Sequence, residues 1–377
     1  MRGRAWRGAA LWLVVVAPAW AAPSLQLDPA GPGPEVEVEI RGVWTPPRVA
    51  PDWETAVARL AAAHFNVIFP YVCSAGVAYY PSAVLPRDAA TTSDCLGEAV
   101  RAAQRQGVEL HPRLLALQCL FATPEVKAAL TAQGRMMVDG HGRPLDWLCP
   151  TDPRNQERLL ATATEIVLRY PVAGLQLDYF RYPHGEACVC ERCRRLFEQS
   201  RGRSVTAWPS EVLKGAAREE FLTWRRGKLT ELLAALRGQL RALRPEVRLS
   251  VAVFPNWSVI QAEVGQDPRE WARQGLVDFL CPMDYTADND RFGRWVAEQR
   301  AALGLGTPLA AGIGAFSDAF QFADHRQLEE QIRTARKAGA SGFVVFNYNE
   351  RLARDFLPWL ARGLTAAPAT PWPPPAE

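Results

Sequence analysis

Three carboxylates in this sequence stand just after stretches that we predict to be buried strands: Asp178, Asp284 and Glu350. Asp178 is the clearest, because it ends the apolar run at residues 174–177 and is followed at once by aromatic and basic residues. Pairs of Asp or Glu supply the acid and the base or nucleophile that cleave a glycosidic bond. We therefore assign Asp178 as the nucleophile or stabiliser and Asp284 as its acid/base partner, with Glu350 in reserve.

Aromatic and polar side chains are predicted to surround these carboxylates. Aromatic rings stack on sugar rings, and polar side chains bond to sugar hydroxyls or carboxylates. The residues predicted to bind substrate are Trp44, Tyr71, Tyr80, His111, Arg181, Asn256, Trp257, Tyr285, Asn347 and Tyr348. His111 also has a structural interpretation as a buried core residue, and so does each of the three carboxylates, as a helix cap or as the ion-pair partner of Arg41 or Arg181. Their combination at strand ends favours a sugar site.

Three cysteines lie close together with the spacing C-x-C-x-x-C: Cys188, Cys190 and Cys193. This spacing presents three thiolates to a tetrahedral metal, with Cys149 or His184 as the fourth ligand. In an exported protein such thiols would instead oxidise to disulfides, and a bridge between Cys73 and Cys95 is open for the same reason. We predict a structural zinc in competition with disulfides, and no cofactor for catalysis, because four protein ligands leave no open metal position.

The elements that would position these side chains alternate between strand and helix. Eight predicted strands, each followed by a helix, occupy residues from about 35 to 363. Eight such units favour a closed α/β barrel of the (β/α)8 or TIM type, in which the residues after each strand converge on one face. A doubly wound open sheet is the alternative, but no glycine-rich phosphate loop follows the first strand. Residues 121–150 form an insertion without an assigned structure.

The ends of the chain differ in composition from its centre. Residues 1–22 combine three arginines, an apolar run and an A-x-A motif, and are predicted to be a signal peptide. Residues 23–35 are predicted to be a linker, 36–363 the barrel, and 364–377 a Pro-rich disordered tail.

Removal of the predicted signal peptide changes the charge of the protein. It takes Lys+Arg from 43 to 40, equal to the 40 Asp+Glu, so the formal net charge falls from +3 to zero. This balance does not favour nucleic acid as a partner, and no other apolar segment reaches the ~20 residues that span a bilayer. We expect an exported monomer, periplasmic or extracellular.

Several longer segments resemble the family-10-like glycosyl hydrolases, which are exported bacterial TIM-barrel proteins. The most specific are GLQLDYFRYP and DFLCPMDYT, and the resemblance covers residues 36–362. It implies a TIM barrel, glycoside hydrolysis, and a bacterial cell-wall glycan or exopolysaccharide as substrate. The cysteine triplet also resembles a loop that binds structural zinc in family 42 β-galactosidases. A weaker likeness to family 18 chitinases stops short of their chemistry, because Phe180 stands where they have the acid Glu.

Two other functions remain open. A non-catalytic polysaccharide-binding barrel is one, because the fifth strand ends in Pro255-Asn256-Trp257 without the carboxylate that several barrel glycosidases carry there. Metal-dependent deacetylation is the other, but it needs clustered His and Asp ligands, and only His111 of five histidines lies near a strand end. The sequence therefore favours a glycoside hydrolase acting on a polysaccharide.

Overall fold

Eight parallel strands form the centre of the structure, a computed structural model that describes residues 38–304 and 306–373. In chain order they are β1 (Ile40–Thr45), β2 (Val67–Ser74), β3 (Arg113–Leu115), β4 (Gly174–Asp178), β5 (Arg248–Val253), β6 (Phe279–Pro282), β7 (Ala310–Ile313) and β8 (Gly342–Phe346). The short strand Glu109–Leu110 precedes β3 and also pairs with β2. The predicted signal peptide and linker lie outside the described residues.

The strands close into a barrel. Their order along the sheet is β6-β5-β4-β3-β2-β1-β8-β7. Parallel bridges Leu280–Leu309 and Met283–Gly312 then join the two outer strands, β6 and β7. The predicted TIM barrel is confirmed, and the open sheet is excluded.

Side chains alternate along each strand between the barrel interior and the helices. Phe69 and Val344 belong to the cluster that fills the interior. Their chain neighbours Ile68 and Val345 belong to the larger cluster between the strands and the helices. Because successive side chains point to opposite faces of a strand, a shift of one residue moves a group from one layer to the other.

The helices surround the barrel. They are α1 (Trp53–Ala62), α2 (Cys95–Gln106), α3 (Pro153–Arg169), α4 (Arg218–Leu243), α5 (Pro268–Arg273), α6 (Asn289–Leu303), α7 (His325–Lys337) and α8 (Leu357–Arg362), the last after a π-helical turn at Leu352–Phe356. The N-caps Asp52 and Asp152 accept hydrogen bonds from backbone N–H groups at the start of α1 and α3. Within the described part of the chain, no helix combines the length and apolar character needed to cross a bilayer.

Additional elements extend from the ends of β3, β4 and β5. After β3 come the helix Pro124–Ala132 and a hairpin formed by Met136–Val138 and Pro144–Leu148, which account for the insertion left unassigned from the sequence. The helices Glu191–Arg201 and Ser210–Leu213 follow β4, and the helix Trp257–Val264 follows β5.

The C-terminal segment is docked across the N-terminal end of the barrel. The backbone N–H of Glu39 donates to the Thr370 carbonyl at 2.9 Å, and the Asn66 amide donates to the Ala369 carbonyl at 2.9 Å. Arg41 is fully buried here and donates to the Ala367 carbonyl at 2.6 Å. The predicted disorder is therefore wrong for residues 364–373, and Arg41 is committed to this end of the barrel rather than to the candidate catalytic acids.

Candidate active site

Asp178 lies at the C-terminal mouth of the barrel, where β4 ends. Its Oδ2 accepts a hydrogen bond from Arg113 Nη1 at 2.9 Å, and its Oδ1 accepts one from the Tyr179 backbone N–H at 2.7 Å. Arg113 is on the neighbouring strand β3, where it pairs with Gln176, two residues before Asp178. The Asp178 side chain is 5% exposed and that of Arg113 is 11% exposed. An ion pair of this kind fixes the position of the carboxylate at the mouth.

The loop after Asp178 carries a stack of aromatic rings around a guanidinium. Arg181 lies 4.7 Å from the ring centres of both Trp147 and Phe254 and 5.2 Å from that of Tyr179. Tyr179 has a φ of +50°, a left-handed conformation that is uncommon for a bulky residue and is concentrated at functional sites. Burial lowers the pKa of Arg181, and the charge of Asp178 opposes that shift.

A second group of aromatic rings lies on the β2 side of the mouth. The Tyr71 ring is 5.1 Å from that of Tyr79 and 5.8 Å from that of Phe121, and the Arg113 guanidinium lies 5.9 Å from the Tyr71 ring centre. Phe121 is 51% exposed. These rings provide the kind of platform on which sugar rings stack.

Trp44 forms the floor beneath the mouth. It is 1% exposed, and its indole N–H donates to Gln176 Oε1 at 2.5 Å inside the barrel. Its ring contacts those of Tyr285 and Phe346, at 6.1 and 6.2 Å between centres. Burial raises the pKa of Tyr285 well above its usual value, so its phenol stays neutral. Asn347 follows Phe346 and is half-buried.

Asp284 faces the helices. Its side chain is fully buried, and Gln299 on α6 donates to its Oδ1 at 2.6 Å. Both neighbours, Met283 and Tyr285, pack against the interior cluster, so Asp284 occupies the opposite side of the wall. Burial raises the pKa of Asp284 to about 7, although the Gln299 hydrogen bond acts to lower it. Its acid/base role stays a prediction, and this placement favours a structural one.

Three other predicted site residues also point away from the mouth. Glu350 is exposed and pairs with Arg59 on α1 at 3.2 Å. Tyr80 is fully buried and donates to Glu165 on α3 at 2.9 Å. Tyr348 is buried in the cluster between strands and helices. The structure therefore does not bring them to Asp178.

The remaining predicted residues lie at two different places. His111 is fully buried inside the barrel near its N-terminal end, where its Nε2 lies 3.0 Å from Glu109 Oε2 and its ring stacks on Trp372. This placement corrects its assignment as a sugar-binding residue. Asn256 and Trp257 stand at the start of the helix after β5: the Asn256 side chain accepts a hydrogen bond from Ser258, and Trp257 is 3% exposed.

Comparison of the sequence with known protein families identifies the family of this chain. Residues 39–301 match the family described as Glycosyl hydrolase-like 10. The chain belongs to this family.

Several known proteins are similar to this chain at low sequence identity. It is 24% identical over 275 residues to the glycosyl hydrolase DigH of Escherichia coli K12, a match covering 62% of this chain and 58% of DigH. The PgaB (BpsB) glycoside hydrolase domain from Bordetella bronchiseptica superimposes with a TM-score of 0.67 and 15% identity, covering 82% of this chain and 93% of that one. Gan42B, a GH42 β-galactosidase from G. stearothermophilus, superimposes with a TM-score of 0.61 and 13% identity, covering 82% and 51%. At these identities the structural likeness shows the barrel fold.

The sequence analysis did not identify several residues that line the barrel mouth. Arg113 could have been identified from the sequence, because it stands two residues after His111 and would therefore lie on the same face of an extended segment. Phe121 and Trp147 belong to the unassigned insertion. Asp318, in the loop after β7, is exposed, and its charge adds to burial and to Asp178 in raising the pKa of Tyr179. It is thus a second carboxylate on the mouth side.

Four cysteines converge beside the mouth. The Sγ atoms of Cys149, Cys188, Cys190 and Cys193 all lie within 4.8 Å of one another. Cys149 directly follows the hairpin strand Pro144–Leu148, and the other three belong to the segment after β4. Cys73 and Cys95 are both free thiols, so the disulfide considered from the sequence does not form.

Proposed function

We propose that this protein hydrolyses a bacterial cell-wall glycan or exopolysaccharide at the barrel mouth, with Asp178 as the essential carboxylate. The observation that carries the proposal is the pair between Arg113 of β3 and Asp178 at the end of β4, set between two groups of aromatic rings. Charged groups at the C-terminal ends of barrel strands are where TIM-barrel enzymes perform their chemistry.

The surroundings of Asp178 suit a nucleophile or a stabiliser of positive charge. Both of its oxygens accept hydrogen bonds from donors, one from a guanidinium and one from a backbone N–H. These bonds hold the carboxylate in a fixed position, from which it could attack or stabilise an oxocarbenium-like transition state. The aromatic rings would hold the adjoining sugars by stacking.

Glycoside hydrolysis needs a second group to protonate the leaving oxygen. Asp318 is exposed on the mouth side, whereas Asp284 is sealed against Gln299. We therefore consider Asp318, in addition to Asp284, as a candidate for the acid/base. The two alternatives are separable, because Asp318→Asn and Asp284→Asn would each remove one carboxylic acid and preserve its shape.

A polymeric substrate is supported by the shape and chemistry of the rim. Phe121 is 51% exposed and Leu120 is 53% exposed, so the apolar surface extends beyond the Asp178 pair. The Trp147–Arg181–Phe254 stack offers a further contact on the other side. Two separated platforms suit a chain of sugars better than a single one.

The decisive experiment measures new reducing ends from a panel of polysaccharides. The panel contains peptide-free peptidoglycan strands, galactosaminoglycan, chitin-type polymers and neutral glucans. Cleavage of one class by the wild type, lost in Asp178→Asn, is the expected result. Loss in Asp318→Asn but not in Asp284→Asn would identify the acid, and the reverse would restore Asp284.

The same panel examines the non-catalytic alternative. Binding to a polymer without cleavage, measured by co-sedimentation and unchanged in Asp178→Asn, would contradict hydrolysis. Export is part of the proposal and has its own readout. The N-terminal sequence of protein recovered outside the cytoplasm should begin near residue 23, after the A-x-A motif.

A further inference from the structure

The four cysteines beside the mouth have the geometry of a metal site. Cys149 Sγ lies 3.6 Å from Cys193 Sγ and 3.8 Å from Cys190 Sγ. Tetrahedral coordination with metal–sulfur bonds of about 2.3 Å sets the sulfurs roughly 3.8 Å apart. A disulfide would require about 2.05 Å. The separations therefore match four ligands of one ion rather than two bridges.

Hydrogen-bond donors surround the sulfurs. The Val138 backbone N–H donates to Cys188 Sγ at 3.3 Å. The Thr151 hydroxyl lies 3.1 Å from Cys149 Sγ and 3.5 Å from Cys193 Sγ. Such donors lower the cost of concentrating negative charge on metal-bound thiolates.

A buried arginine supplies the opposite charge. Arg225 is 1% exposed and stacks 4.1 Å from the Tyr182 ring centre. Its guanidinium donates to the backbone carbonyls of His184, Gly185 and Glu263, and within the described residues it forms no ion pair with a carboxylate. Cys188 and Cys193 are close enough to interact with its charge. A buried cation requires a counter-charge. Four thiolates bound to one divalent ion form a complex with a net charge of −2, which would supply it.

From this cluster and its charge balance we propose that Cys149, Cys188, Cys190 and Cys193 bind one zinc ion. His184 is not the fourth ligand, because it is exposed and its Nδ1 accepts a hydrogen bond from the Glu186 backbone N–H. Four sulfur ligands fill the tetrahedron, so the ion is structural. Binding releases the thiol protons to solvent.

The zinc would join two segments that build the mouth. Cys149 stands two residues after Trp147, and Cys188 stands seven residues after Arg181. Trp147 and Arg181 stack on each other at 4.7 Å. The metal therefore fixes the hairpin against the loop after β4 and holds this wall of the mouth in place. The proposal does not depend on hydrolytic activity.

Metal and thiol analysis of the full chain tests the proposal. The protein is purified without added metal or reductant, its metals are measured by inductively coupled plasma mass spectrometry, and its thiols are counted by alkylation in denaturant. We expect about one zinc per chain together with all eight cysteines reactive. Zinc-free protein, with either disulfides within the cluster or eight free thiols, would overturn the proposal, and so would iron in place of zinc.

Two variants show where the metal is bound. Cys190→Ser changes the half-buried member of the cluster, and we expect its zinc content to fall at least about fivefold. Cys95→Ser, on α2, is the matched control and should retain the wild-type zinc content. If Cys190→Ser does not fold, a mercurial titration of the wild type replaces it. Zinc release complete after about four thiol equivalents supports the cluster, whereas release unrelated to thiol modification contradicts it.

Discussion

The two ends of the barrel carry similar residue types in different surroundings. At the C-terminal mouth, Asp178 pairs with Arg113, and the neighbouring ring of Phe121 is 51% exposed. At the N-terminal end, Glu109 pairs with His111, and Trp372 covers them by donating to Glu109 Oε2 at 2.8 Å. Each end combines a carboxylate, a basic group and aromatic rings, but at the N-terminal end a ring from the C-terminal segment lies over the charged pair.

The two ends therefore differ in the groups that surround the charged pair rather than in residue type. Burial lowers the pKa of His111, so the imidazole tends to be neutral, despite the opposing hydrogen bond with Glu109. Burial acts to raise the pKa of Glu109, but hydrogen bonds with His111 and Trp372 outweigh it and leave that pKa below its usual value. The Arg248 guanidinium stacks 4.4 Å from the Trp372 ring centre and completes the closure. At this end Glu109 is thus bonded to His111 and Trp372, and the Trp372 ring is packed against both His111 and Arg248.

The strongest contrast should come from neutralising one carboxylate at each end. Asp178→Asn is expected to lower kcat by on the order of 10²–10⁴-fold, the size of a lost acid/base or nucleophilic contribution. Glu109→Gln at the N-terminal end of the barrel should leave kcat unchanged per folded molecule. Initial rates on the polysaccharide selected above measure both. Equal losses in the two variants would contradict the assignment of the mouth as the site.

Removing the Trp372 ring should affect the stability of the protein rather than its catalytic activity. Trp372→Ala deletes a ring that packs on Phe279 at 4.9 Å and covers His111, so we expect a loss of about 3–5 kcal/mol in the free energy of unfolding. Urea denaturation gives this value. Trp359→Ala is the control, because Trp359 on α8 is 50% exposed and its loss should cost much less. A folded Trp372→Ala variant with unchanged stability would show that the segment does not close the barrel.

Asp284 provides a test on the helix side of the wall. Burial raises its pKa from 3.8 to about 7, so the folded state keeps a proton that the unfolded state loses near pH 4. The resulting stability is fully present below pH 4 and decreases as the pH rises to about 7, by on the order of 3–4 kcal/mol. Asp284→Asn should flatten this dependence.

Urea unfolding of the wild type and Asp284→Asn at pH 5 and pH 8 measures the effect. Other groups titrate in both proteins, so the difference between the two pH profiles isolates Asp284. Identical profiles would show that Asp284 is ionised in the folded protein. That result would also return it to consideration as a catalytic acid/base.

The smallest effect is expected at the exposed rim. Phe121→Ala should raise KM about 2- to 12-fold, because a stacked ring contributes about 0.5–1.5 kcal/mol. It should leave kcat and stability near the wild-type values. Leu168→Ala, on α3 and also exposed, is the control and should change neither constant. An unaffected KM in Phe121→Ala would move the sugar platform to the Trp147 side of the mouth.

Local sequence patterns determined much of this protein. The alternation of predicted strands and helices indicated eight strand–helix units, and Asp178 was placed at a strand end because aromatic and basic residues follow the apolar run directly. The spacing of Cys188, Cys190 and Cys193 likewise predicted that their thiols would meet, which the structure confirms. These features depend on neighbours only a few residues apart, and so they are written in short stretches of chain.

Tertiary structure alone decided which way the other groups point and what covers them. Asp284 differs from the inward-facing Tyr285 by one position, and that single step turns its carboxylate to Gln299. The choice of Cys149 over His184 beside the triplet depends on a hairpin some 40 residues earlier in the chain. Trp372 reaches Glu109 only because the barrel closes and brings the C-terminal segment beneath it. Such contacts join residues far apart in sequence, and their formation depends on the packing of the whole barrel.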